Sequence, residues 1–253
     1  MTDLDGLWWL LASLIPLLYL QRRLHGEMMA VFLLITRSEK IAMVLFSLLF
    51  FPGVVIHELS HWITAVLLGV HTGKIWLLPE QQPDGTLRLG YVEVTRPDFV
   101  RDSIIGFAPM VFGGLFVGYA GLYQLKFNLL WESMFNVEWK HLSETLSNLY
   151  SQTDFWLWFY LVFVVSAMMV PSPSDRYAWR SLILFTAMIF VFALAAGAGQ
   201  WMIENMAPLV NEVFRSAAIV FGISNLVHLV LLFPTVLFRQ GLNRITGLTI
   251  VNK

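Results

Sequence analysis

Long apolar runs separated by short polar punctuation set the plan of this chain. Leu7 to Leu20 is apolar but interrupted by Pro16 and stopped by Gln21-Arg22-Arg23, and Gly26 to Thr36 is a second, shorter piece. Residues 1–40 therefore predict one broken span, or a span plus an interfacial helix. Ile41 to Val70 predicts the second span. At 1.5 Å per residue it is about 45 Å long, against about 30 Å for a hydrocarbon core. Pro52-Gly53 inside it predicts a kink. Further spans are predicted over Ile104–Leu125, Phe155–Val170, Ser181–Met202 and Ala217–Phe238.

Between the second and third spans the period changes. Lys74-Ile-Trp-Leu-Leu, the turn Pro83-Asp84-Gly85 and Thr86 to Val94 read as a β-hairpin within 71–97. Leu87, Leu89 and Tyr91 alternate with polar residues or glycine, and Val92 and Val94 then shift the phase. Residues 126–154 are polar and aromatic, with Glu132, Glu138, Lys140, His141 and Glu144, and predict an interfacial helix or loop.

Composition sharpens this into a class. The chain is 57% hydrophobic and only 13% charged, with a mean hydropathy of +0.68. A soluble domain carries about 25% charge. The expected fold is an all-α polytopic membrane protein of about six transmembrane helices with a small β-hairpin between the second and third. It forms one unit, 1–253, made of an amino-terminal segment over residues 1–40, a core over 41–180 and two further spans in 181–253. A net charge of −1 argues against a nucleic-acid partner, and the absence of cysteine excludes disulfides and thiolate metal sites. The acidic start, Met-Thr-Asp-Leu-Asp-Gly, lacks the basic opening of a secretory signal, so the first apolar run is expected to be retained.

The chemistry concentrates in the second span. His57-Glu58-Leu-Ser-His61 is an H-E-x-x-H sequence inside an apolar run. On a helix, residues four apart share a face, so two imidazoles can hold Zn²⁺ while Glu58 serves as general base toward an activated water. Ionisable groups at membrane depth cost roughly 2.5–3.5 kcal/mol each, and a divalent metal is the simplest compensation. A metal-free polar cluster or proton relay is the plainer alternative.

A third ligand must come from elsewhere. If the spans alternate, Asp175 falls at the same end of the bundle as the exit of the second span, and Pro171 and Pro173 break the helix before it. A carboxylate there can complete a zinc site and leave one position for water. His228, on one helix face with Asn225, is the rival as metal ligand or gate. Glu204 and Glu212 fall at the opposite end, and His71 would need a sharp turn back.

On these residues the chain resembles the site-2 protease family of intramembrane zinc metalloproteases. The likeness rests on His57-Glu58-Leu-Ser-His61 in an early apolar helix and on Pro171-Ser-Pro173-Ser-Asp175 at a later helix end. It also rests on the intervening hairpin and on Ala108-Pro109, which looks like that family's Gly-Pro element, and it covers roughly residues 41 to 180. Two positions depart from the family pattern. Arg176 follows the aspartate where glycine is usual. Ser166-Ala167-Met168 occupies the place of a substrate-holding asparagine, a role Ser166 would have to take.

The resemblance implies an integral membrane, multi-pass zinc endopeptidase that cleaves transmembrane or membrane-associated polypeptides, with its metal nearer the cytosol. Counting Lys and Arg under simple alternation agrees for the loops after residue 70, nine against three, while Arg22, Arg23, Arg37 and Lys40 disagree. Two other functions fit the same residues. One is a membrane protein that binds or transports a metal ion or protons; the other is an inactive relative that binds transmembrane partners.

Overall fold

The computed structural model describes residues 5–81, 87–95, 97–127, 129, 147–148 and 150–248. The Pro83-Asp84-Gly85 turn and most of 126–154, including Glu132 to Glu144, lie outside the described residues. Helix α1 runs Asp5–Thr36 and α2 runs Glu39–Leu67, joined by Arg37 in a left-handed conformation (φ 54°) and by Ser38. Strands β1 (Thr72–Trp76), β2 (Glu80–Gln81), β3 (Leu87–Arg88) and β4 (Tyr91–Val94) follow. Next come α3 (Phe99–Tyr119), continued by a π-helical turn over Ala120–Gln124, and α4 (Phe155–Met168). The last helices are α5 (Trp179–Ala195), α6 (Gly199–Asn205) and α7 (Ala207–Thr246).

The amino-terminal segment is one helix rather than two pieces. Pro16 and the Arg22-Arg23 pair do not break it, because α7 lies along it and answers its polar groups in order. Asp5 pairs with Arg215, the Ser13 carbonyl accepts from Asn225 Nδ2 (2.8 Å), and Glu27 pairs with Arg239. That order also makes α1 and α7 parallel. Rings from α2 pack on His25 of α1, so α1 and α2 form an antiparallel pair.

Simple alternation fails later in the chain. Trp179 stacks near Phe107 and Phe185 near Phe99, so α5 runs antiparallel to α3 and back out past its start. It then meets α6 at a 115° bend. Helix α7 consequently begins at the metal end and runs away from it. Arg239 and Arg244 fall at the same end as Arg37 and Lys40, and the basic-residue bias no longer favours a cytosolic metal end.

Three described helices, Glu39–Leu67, Phe99–Gln124 and Ala207–Thr246, are long and apolar enough to cross a membrane, or four if the bent pair counts as one span. That is fewer than the six expected. Helix α4, at 14 residues, measures about 21 Å and falls short of a core thickness. Helix α5 buries no residue at all, and large apolar side chains such as Phe190, Phe192 and Leu184 point outward. An apolar exterior of this kind suits lipid rather than water.

The core lies where α1, α2, α3, α4 and α7 meet, around Phe50, Leu17, Leu24, Val117, Val164 and Val227. Pro52 sits inside an unbroken α2. Proline removes a donor from its turn, and in that turn Tyr160 Oη of α4 donates to the Leu49 carbonyl (2.7 Å).

The hairpin is present in outline. β1 pairs antiparallel with β4 and β2 with β3, giving a ribbon interrupted midway. The phase shift in the sequence corresponds to the break at Leu89-Gly90 between β3 and β4, and to an irregular register between Thr72 and Ile75.

Candidate metal centre

Helical spacing on α2 brings the two imidazoles together as the sequence predicts. Their Nε2 atoms stand 3.2 Å apart. Asp175, in the loop between α4 and α5, closes the group: Oδ1 lies 3.4 Å from His61 Nε2 and Oδ2 lies 3.6 Å from His57 Nε2. A tetrahedron of ligands about 2.05 Å from zinc has edges of about 3.3 Å. The imidazole pair and the His61–Oδ1 contact lie close to that length, and one ligand atom from each residue falls within 4.8 Å of the others, so His57, His61 and Asp175 could hold a metal ion.

The outer nitrogens explain why the inner ones converge. His57 Nδ1 meets the Met168 carbonyl at 2.6 Å and His61 Nδ1 meets the Ile105 carbonyl at 2.8 Å. A carbonyl can only accept, so each Nδ1 carries the hydrogen and, in the neutral ring, each Nε2 carries a lone pair. Metal-ligating histidines are commonly held this way. Two lone pairs and a carboxylate facing one another at these distances repel. A cation among them removes the repulsion, and a metal does so for all three donors together. The residues present therefore fit a zinc ion.

The Asp175 loop is bonded to itself: Ser172 N donates to Asp175 Oδ2 at 2.7 Å, and Asp175 N donates to Ser172 Oγ at 3.3 Å. Its backbone rests directly on α3. A Cβ built on Gly106 would collide with the Asp175 carbonyl oxygen, so only glycine admits the loop here. Arg176 turns its Nε to the Ser172 carbonyl (3.3 Å) and does not line the cavity.

Glu58 follows His57 on α2 and is nearly buried, at 7% exposure. It lines a cavity of about 230 Å³ together with the three donors, strand residues Arg88, Gly90 and Tyr91, and Asp102 of α3. Gly90 lets the strand reach the helix: a Cβ there would lie 3.1 Å from Glu58 Cγ and 3.0 Å from the Trp76 carbonyl oxygen. The arrangement places a carboxylate beside three convergent donors, in a cavity with room for water.

The other expected site residues lie elsewhere. Ser166 is fully buried, its hydroxyl donating to the Phe163 carbonyl (3.0 Å), and does not reach the cavity. His228 is fully buried beside Phe163, with Nδ1 on the Ser224 carbonyl of its own helix (2.8 Å). Asn225 bonds Ser13 on α1. Neither His228 nor Asn225 joins the donor group. The sequence does not single out Gly106 among the several small residues of the third span, and no motif marks Arg88 as reaching the cavity.

The chain matches no protein-family model, no curated protein and no solved structure.

Proposed function

We propose that this protein is an intramembrane zinc metalloprotease of the site-2 protease kind that its motifs resemble, acting on transmembrane polypeptides. One observation carries the reading. Three donors with zinc-compatible spacing, two of them imidazoles fixed through Nδ1, converge on a helix apolar enough to cross a membrane, with a glutamate beside them.

His57, His61 and Asp175 hold Zn²⁺. When bound, the ion supplies a Lewis acid that polarises a carbonyl and makes water more acidic. Glu58 takes the proton from the attacking water and delivers it to the leaving amine. Burial in the cavity keeps bulk water from competing with that transfer. Peptide bonds of a transmembrane helix are shielded by their own hydrogen bonds, so the substrate must unwind locally before it is cut. Strand β4, whose residues line the cavity, offers a surface along which the unwound segment can lie.

The test combines metal analysis with cleavage. Purified wild-type protein is expected to contain zinc and to cut a model transmembrane peptide in detergent. Glu58→Gln should keep the zinc and lose cleavage by about 10²–10⁴-fold. A metal transporter or a non-cutting relative predicts no cleavage in either protein, and that result would retire the proposal.

A further inference from the structure

We infer that Arg88 is a specificity-determining residue, selecting an acidic substrate side chain close to the scissile bond. The inference rests on the proteolytic reading above. Arg88 ends strand β3 and lines the same cavity as Glu58 and the metal donors. Its guanidinium lies over the Tyr91 ring, 4.1 Å from the centroid. A stacked guanidinium is held in place while its N–H donors remain free at the ring's edge.

The plainer reading is a solvated surface arginine paired across the ribbon. Glu80 does stand opposite Arg88 in the β2–β3 register. Yet among the described residues no ion pair joins Arg88 to Glu80 or to any other carboxylate. The side chain is spent on the Tyr91 face, at the cavity, instead.

Spacing fixes where the recognised group must lie. Gly90 lies so near Glu58 that a Cβ on it would come within 3.1 Å of Glu58 Cγ, and Arg88 is two residues earlier. Two residues of extended chain span about 7 Å. A substrate strand laid along this wall therefore presents to Arg88 a side chain about two positions from the bond being cut. A carboxylate suits a guanidinium there. Asp102 also lines the cavity, so a preference for acid has to come from Arg88 locally and not from the charge of the cavity as a whole.

The experiment uses a set of labelled peptides with a single membrane-spanning segment, in which one aspartate is walked through the positions flanking the cleaved bond. Each has an asparagine and a lysine counterpart. Binding is measured on full-length, zinc-loaded Glu58→Gln protein in detergent. At one position, aspartate should bind about fivefold tighter than asparagine, the range for a solvent-accessible ion pair. The preference should shrink with added salt. Arg88→Ala in the same background should erase it, and Arg88→Glu should transfer it to lysine, with zinc content unchanged in both. Equal binding of aspartate and asparagine at every position, or a preference that survives Arg88→Ala, would overturn the inference. Cleavage by protein retaining Glu58 is read separately. Binding preference without any cleavage would sink the proteolytic reading while leaving acidic recognition in place.

Discussion

Two regions of this bundle bury polar side chains among apolar helices, and they do so in opposite ways. Along the α1–α7 seam, polar groups find each other: Asp5 with Arg215, Asn225 with the Ser13 carbonyl, and the fully buried Glu27 with Arg23 and Arg239. At the metal end, like groups converge instead: the Nε2 atoms of His57 and His61 and the Asp175 carboxylate face one another. The seam joins donors to acceptors and fixes two helices in register. The metal end gathers three groups that could hold a cation. His228 marks the difference within one residue type. Its Nε2 is buried and without a hydrogen-bond partner, but among the described residues it belongs to no group of three metal-capable side chains.

Removing a donor is the strongest way to break this contrast. His57→Ala and Asp175→Ala should lose nearly all bound zinc by elemental analysis, whereas His228→Ala should retain it. If His228→Ala alone stripped the metal, the ligand assignment would be wrong. Disturbing the seam comes next. Arg239→Ala leaves the buried Glu27 carboxylate without its partner on α7, at a cost of about 3–5 kcal/mol. Unfolding in detergent should register that loss, while zinc per folded molecule stays constant. A fall in zinc stoichiometry would show that the two regions are not independent.

Gly106→Ala sharpens the comparison from the metal side. The added methyl collides with the Asp175 carbonyl and must push the ligand loop off α3. Zinc affinity should fall about 10–100-fold, as when supporting residues of metal sites are altered. Competition with a chelator would measure it, and an unchanged affinity would mean that the loop can shift without moving the carboxylate.

The smallest effect belongs to Asp98, which caps α3 by accepting from the Arg101 and Val100 amides (3.1 Å each). The backbone bond from Arg101, more than any other cause, holds its carboxyl below the usual carboxylate range. A depressed carboxylate contributes stability that is present above its unfolded value and is lost as pH falls through its folded one. Asp98→Ala should therefore lower the unfolding midpoint slightly at neutral pH and make no difference in strong acid. An equal effect at both pH values would refute the cap.

Much of the metal site was legible in the sequence because helix geometry is local. Four-residue spacing puts His57 and His61 on one face wherever the helix sits, and Glu58 comes with them. Asp175 was legible one step further off, from its place at the metal end and from the prolines that release it from α4. What could not be read depends on distant partners. Gln21-Arg22-Arg23 looked like a break in α1, since charges halt an apolar run. The chain runs through because α7 supplies Arg239 to Glu27. The parallel course of α1 and α7 follows from the return of α5 along α3, which no local pattern announces. Ser166 was expected to handle substrate, but its helix turns it into the core, where its hydroxyl is already bonded to the preceding turn.

The two Nδ1 anchors have a consequence for how the molecule is made. His57 is tied to a carbonyl at the end of α4, and His61 to a carbonyl of α3. Three helices must therefore meet before both rings are aimed. A ribosome that has delivered only the first two helices has made a pair of untethered imidazoles, and the three donors cannot be brought together until the chain has passed residue 175.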